Sequence, residues 1–68
     1  MPTYRIELRH DNNEDLVTVC GELTAETRKG AEALSPAMFG DPVTVATTAW
    51  GPSKSYAHAA RYLAVEVG

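Results

Sequence analysis

At 68 residues the chain makes one domain, 1–68. A domain of that size buries only about 60% of its unfolded surface, which leaves little wall for a sizeable substrate cleft. Composition is that of a globular protein, 44% hydrophobic and 22% charged. A formal charge of −3, carried against only two lysines and four arginines, argues against general nucleic-acid binding through counterion release and for a soluble, mildly acidic protein.

Thr3–His10 alternate, with Tyr4, Ile6 and Leu8 on one side and Arg5, Glu7 and Arg9 on the other, the period of a half-buried strand. Asp11–Asp15 (DNNED) breaks that pattern with turn-forming residues and predicts a hairpin tip. Leu16–Cys20 is short, apolar and β-branched, which predicts a second strand ended by Gly21. A helix is then expected from Thr24 as its cap, with Leu23, Thr27, Ala31 and Leu34 on one face, stopping at Ser35-Pro36 because the residue before a proline avoids the helical region. Ala37–Pro42 reads as a connector. Val43–Trp50 (VTVATTAW) carries small or apolar groups on both faces and predicts an interior strand. Gly51-Pro52 breaks it, and Ser53 is expected to cap a last helix whose core face is Tyr56, Ala59, Ala60 and Leu63, running to about Ala64. Tyr62–Val67 also alternates, so a further C-terminal strand is the competing reading. The expected fold is therefore α+β, order β-β-α-β-α with that extra strand as a variant. An antiparallel N-terminal hairpin carries helices on one face of the sheet, since the other face of its first strand is charged.

Two surfaces stand out as candidate binding sites. Asp11, Glu14 and Asp15 form an acidic tip able to meet a basic partner; their spacing lacks the glycine and closing Glu of a calcium loop. Ser53, Lys54, His58 and Arg61 form a basic stripe at helical spacing, Lys54 sitting in a first turn where a cation opposes the helix dipole. Such a stripe suits carboxylates or phosphates, although GPSKS lacks the glycine spacing of a phosphate-binding loop. Met38 and Phe39 are expected to close the core, and would anchor a protein contact if exposed.

No nucleophilic or metal constellation is apparent. Cys20 is the lone cysteine, and no spacing brings His10 or His58 to it; one Cys and two isolated His make no zinc set. No catalytic residue, metal or cofactor is therefore expected. A lone cysteine, an N-terminus without a basic and then apolar leader pattern, and apolar runs far short of ~20 residues lead to an expectation of a cytoplasmic protein without a membrane partner. The function expected is a non-catalytic protein-interaction or regulatory module, an accessory or inhibitor protein of the kind phages and mobile elements encode fitting the size and charge. Its partner would be another protein, and homo-oligomerisation would supply extra stability. An anion- or nucleic-acid-binding module built on the basic stripe is the second reading, and a small enzyme subunit completed by its neighbours in an oligomer the third.

Overall fold

The computed structural model describes residues 1–11, 13–51 and 59–68. The chain is a small α+β domain. Strand β1 (Thr3–His10) pairs antiparallel with β2 (Asn13–Thr24); helices α1 (Arg28–Phe39) and α2 (Pro42–Trp50) follow, and β3 (Ala60–Glu66) closes the sheet. Strand order is β2-β1-β3, so the first strand is central and both its neighbours run antiparallel to it.

The alternation in β1 orders the layers. Tyr4, Ile6, Leu8 and His10 face the helices and are buried, Ile6 and Leu8 completely. Burial of two such side chains contributes roughly 1.5–3 kcal/mol each. The helices present alanines to that face, Ala31 from α1 and Ala46 from α2, both fully buried, and β3 adds Tyr62 and Ala64. Small side chains let helix and sheet approach closely, and Phe39 and Trp50 fill the remaining space. The Phe39 and Tyr62 rings lie 6.2 Å apart, while the Tyr62 hydroxyl donates to the Gly40 carbonyl at 2.8 Å. Burial, with the Cys20 and Asp41 charges a smaller influence, pushes the Tyr62 phenol up.

Strand β2 does not stop at Gly21. It continues to Thr24 through a bulge at Cys20: Ile6 faces Gly21 and Glu7 faces Val19, so Cys20 has no partner of its own. Glycine suits the close approach there, because a Cβ at position 21 would stand 3.1 Å from the edge of the Phe39 ring and push on it. The hairpin tip is tighter than the Asp11–Asp15 loop expected, since β2 already begins at Asn13, opposite His10.

Three expectations about the helices are corrected. The first helix is capped by Thr27, whose hydroxyl accepts from the Gly30 N–H at 3.0 Å, and not by Thr24, which belongs to β2. It also runs through Ser35-Pro36: the buried Ser35 hydroxyl donates to the Ala31 carbonyl at 2.8 Å, Pro36 points to solvent, and Gly40, at φ +104°, ends the helix by donating to the Pro36 carbonyl. Met38 and Phe39 are thus helical, Phe39 packed inward and Met38 exposed.

The segment expected as an interior strand, Val43–Trp50, is helix α2. Asp41 caps it, accepting from the Thr44 N–H at 3.1 Å, and Pro42 occupies its first turn with φ already suited to a helix. Its threonines return their hydroxyls to carbonyls four residues back, Thr47 to Val43 and Thr48 to Thr44, so these β-branched polar residues are satisfied inside a helix. The last correction is the C-terminus. Ala60–Glu66 is a strand: the competing reading of a C-terminal strand over Tyr62–Val67 holds, and the preferred helix through Ala64 does not. The reason is non-local: β1 has a second edge, and β3 satisfies its backbone groups while delivering Tyr62 and Ala64 to the core. The expected start of a last helix at Ser53, with Tyr56 on its core face, lies outside the described residues. Among the described residues no helix is long and apolar enough to cross a membrane.

Candidate interaction surface on the open face of the sheet

Both helices pack on the Tyr4/Ile6/Leu8 side, and no described element covers the opposite side. The register decides what stands on that open face. From β1 come Arg5, Glu7 and Arg9; opposite them are Glu22, Val19 and Val17 on β2 and Val65, Leu63 and Arg61 on β3. The result is a charged central row between two margins, apolar at Val17, Val19, Leu63 and Val65 and charged at Glu22 and Arg61. Val19 is 58% exposed and Val17 39%, while Leu63 and Val65 are half-buried.

Glu7 is the fixed point of that row. It is buried on a face that has no second layer, because its neighbours two residues away on the same strand fold over it. The Arg5 Nε donates to Glu7 Oε2 at 2.8 Å, and Arg9 grips Oε1 with two nitrogens, Nε at 2.9 Å and a terminal one at 2.5 Å. Burial alone would raise the Glu7 carboxyl, but the hydrogen bonds and charges of Arg9 and then Arg5 outweigh it and hold the group below its ordinary value. It is ionised at neutral pH and poorly placed to exchange protons. Each guanidinium keeps about two-fifths of its side-chain surface in water, so the pair stays available to a partner.

One residue of the expected acidic tip meets one residue of the expected basic stripe. Asp11 and Arg61 form an ion pair with each other, closing the row at the hairpin end. Arg61 lies on β3 directly opposite Arg9, not on a helix, and each of these facing arginines has its own carboxylate. Ser53, Lys54 and His58 lie outside the described residues, as does the Glu14 side chain. Asp15 is exposed at the start of β2 and already engaged in an interaction of its own.

The inner face holds the remaining groups with chemical potential. His10 is buried with its ring edge-on to Trp50, centroids 6.4 Å apart, and the Trp50 indole donates to the Thr18 hydroxyl at 3.1 Å. Burial raises the Cys20 thiol, against a smaller lowering by a hydrogen bond from the Leu8 backbone, so it is a protonated, half-buried group.

Val17, Val19 and Val65 were not singled out from sequence, and Leu63, expected on the core face of a helix, stands opposite Glu7 on the open face. Leu16–Cys20 is apolar on both parities, and only its pairing with β1 reveals that the odd residues face outward. Comparison with protein-family models, with curated proteins and with solved structures finds no match to this chain.

Proposed function

We propose that the chain is a non-catalytic protein-interaction module that docks another protein on the open face of its sheet. The observation that carries this reading is the pairing of exposed apolar side chains with a rigidly held arginine row on a face that no described element covers. A three-stranded sheet that the described elements bury on one side leaves a platform on the other, and Val17 and Val19 beside Arg9 give it the mixture of apolar contact and bidentate donors that protein interfaces favour. The side chains with catalytic potential do not compete with this reading: the Glu7 carboxylate is locked to two arginines and the Cys20 thiol is held protonated. A regulatory or inhibitory role in the cytoplasm is the finer form of the proposal; the size and acidity of the chain support it.

Site-specific photo-crosslinking in the native host tests the reading. A benzophenone side chain in place of Val19 is expected to capture one discrete protein partner, whereas the same group in place of Thr47, exposed on the outer side of α2, is not. Arg9→Glu, which reverses the charge beside Glu7, is expected to abolish the Val19 product. Equal capture from both positions, or capture that survives Arg9→Glu, overturns the proposal.

A further inference from the structure

The sheet has two outer edges, one on β2 and one on β3, with β1 between them, and no described strand pairs with either. The two are built differently. β2 is irregular where it borders β1: its register shifts at Cys20 and again between Val17 and Asn13, so only Val17–Val19 and Gly21–Thr24 run in step with β1. Bulges of this kind twist a strand and spoil its outer edge as a template for another. β3 has no such break, and pairs with β1 along its whole length, Ala60–Glu66. A regular edge of that sort, with outward N–H and C=O groups, invites a further strand.

One side chain closes it. The Ala64 N–H turns away from β1 and donates to Glu32 Oε2 of α1 at 3.0 Å. Residues alternate in direction along an antiparallel ladder, so Tyr62 and Glu66 also turn their backbone groups outward, while Val67 donates inward to the Thr3 carbonyl. Ala64 is the middle one of those three outward residues, and its N–H is the one that Glu32 takes.

We infer that Glu32 guards the β3 edge against strand addition by a second copy of this chain, and so keeps the protein monomeric with its open face presented singly. The edge is complementary to itself. A two-fold axis beside Ala64 would let the two Ala64 residues exchange N–H and C=O, and would set Tyr62 of each chain opposite Glu66 of its copy. Leu63 of each chain would lie against Val65 of the copy on the open face, where both are half-buried in the monomer. No like charges meet across that ladder, since Arg61 would face Val67 and Glu66 would face Tyr62. The chain's own strand is also the one always at hand, at the protein's own concentration. Glu32 opposes this pairing in two ways. Its oxygen occupies the N–H that the incoming carbonyl needs, and its charge would lose water beneath the added strand. Glu32 acts this way whatever docks on the open face.

Sedimentation velocity over a range of protein concentrations, with amide hydrogen exchange on the same samples, tests the guard. The wild type is expected to sediment as a monomer. Glu32→Ala is expected to self-associate with a dissociation constant about tenfold or more below that of the wild type, as removal of one desolvated polar group allows. The Tyr62, Ala64 and Glu66 amides of that variant are expected to exchange more slowly as concentration rises, with the β2 amides unchanged. Adding Val65→Glu, which stands opposite Arg5 in its own chain but would meet the apolar Leu63 of the copy, is expected to restore the monomer. Glu32→Gln keeps an oxygen for the Ala64 N–H and is expected to fold as the wild type does; loss of the charge alone should leave it associating more than the wild type and less than Glu32→Ala. A folded Glu32→Ala that stays monomeric overturns the inference, as does, where Glu32→Ala does not fold, a Glu32→Gln that sediments as the wild type does. So does a wild type that already associates through β3, association that protects β2 amides instead of β3 amides, or association that survives Val65→Glu.

Discussion

The two faces of β1 are built from the same eight residues and bury charge and hydrocarbon by different means. The inner face is covered by two helices, and Ile6 and Leu8 lose all contact with water. On the outer face Glu7 is almost as buried, yet no described helix covers it and the arginines of its own strand hold it. Burial on the inner face is therefore a tertiary property, and on the outer face a local one. A surface organised by its own side chains remains ordered while still open to a partner, which is what a docking platform needs.

Mutations sharpen that contrast. The largest effect is expected on the inner face: Ile6→Ala should cost about 2–5 kcal/mol in urea unfolding, whereas Val19→Ala across the sheet should stay within about 0.5 kcal/mol. Equal effects at both positions would mean that the outer face is covered in solution. Glu7→Gln leaves two arginines facing each other without their carboxylate and should cost about 1–2 kcal/mol, less than a fully buried pair because both guanidiniums remain partly in water.

The same pair predicts a pH dependence. The folded-state pKa of Glu7 is depressed, so its contribution is present in full above the unfolded carboxylate pKa and is lost as pH falls below that value and through the folded one. Urea midpoints measured between neutral pH and about pH 3 should fall more for the wild type than for Glu7→Gln; parallel curves would show that Glu7 is not held as described. Asp41→Ala removes the cap of α2 and should cost about 1 kcal/mol. Asp11→Asn should be the smallest change, within about 0.5 kcal/mol, because both partners of the Asp11–Arg61 pair are well exposed.

How much of this was legible differs along the chain. In β1 the alternation named both the strand and its charged outer side, and with them the one-sided packing of the helices. Asp41-Pro42 carried a helix-start signal that the β-branched run after it obscured: Val and Thr favour strands only weakly, while an Asp cap, a first-turn proline and hydroxyl-to-carbonyl bonds all favour the helix locally. The candidate site was half legible. Asp11 and Arg61 were legible as site residues, while Arg5 and Arg9 were legible only as the outer side of their strand; the ion pair joining Asp11 to Arg61 spans the distance from hairpin tip to last strand, and no spacing in the sequence announces it.

What the amino-acid sequence determined by itself was local. It set a small α+β domain, a central strand with one oily and one charged face, and a turn after it. What only the tertiary structure decided was which ambiguous segments became which element and which residues met. Ala60–Glu66 is a strand because β1 had an unpaired edge, and Gly21, beside the bulge at Cys20, lies close under the Phe39 ring. Leu34 and Met38 stay exposed because Ala31 and Ser35 take the inner position on α1. Each outcome depends on a contact between residues distant in the chain, and such contacts are chosen by the free energy of the whole packed molecule rather than by any one segment.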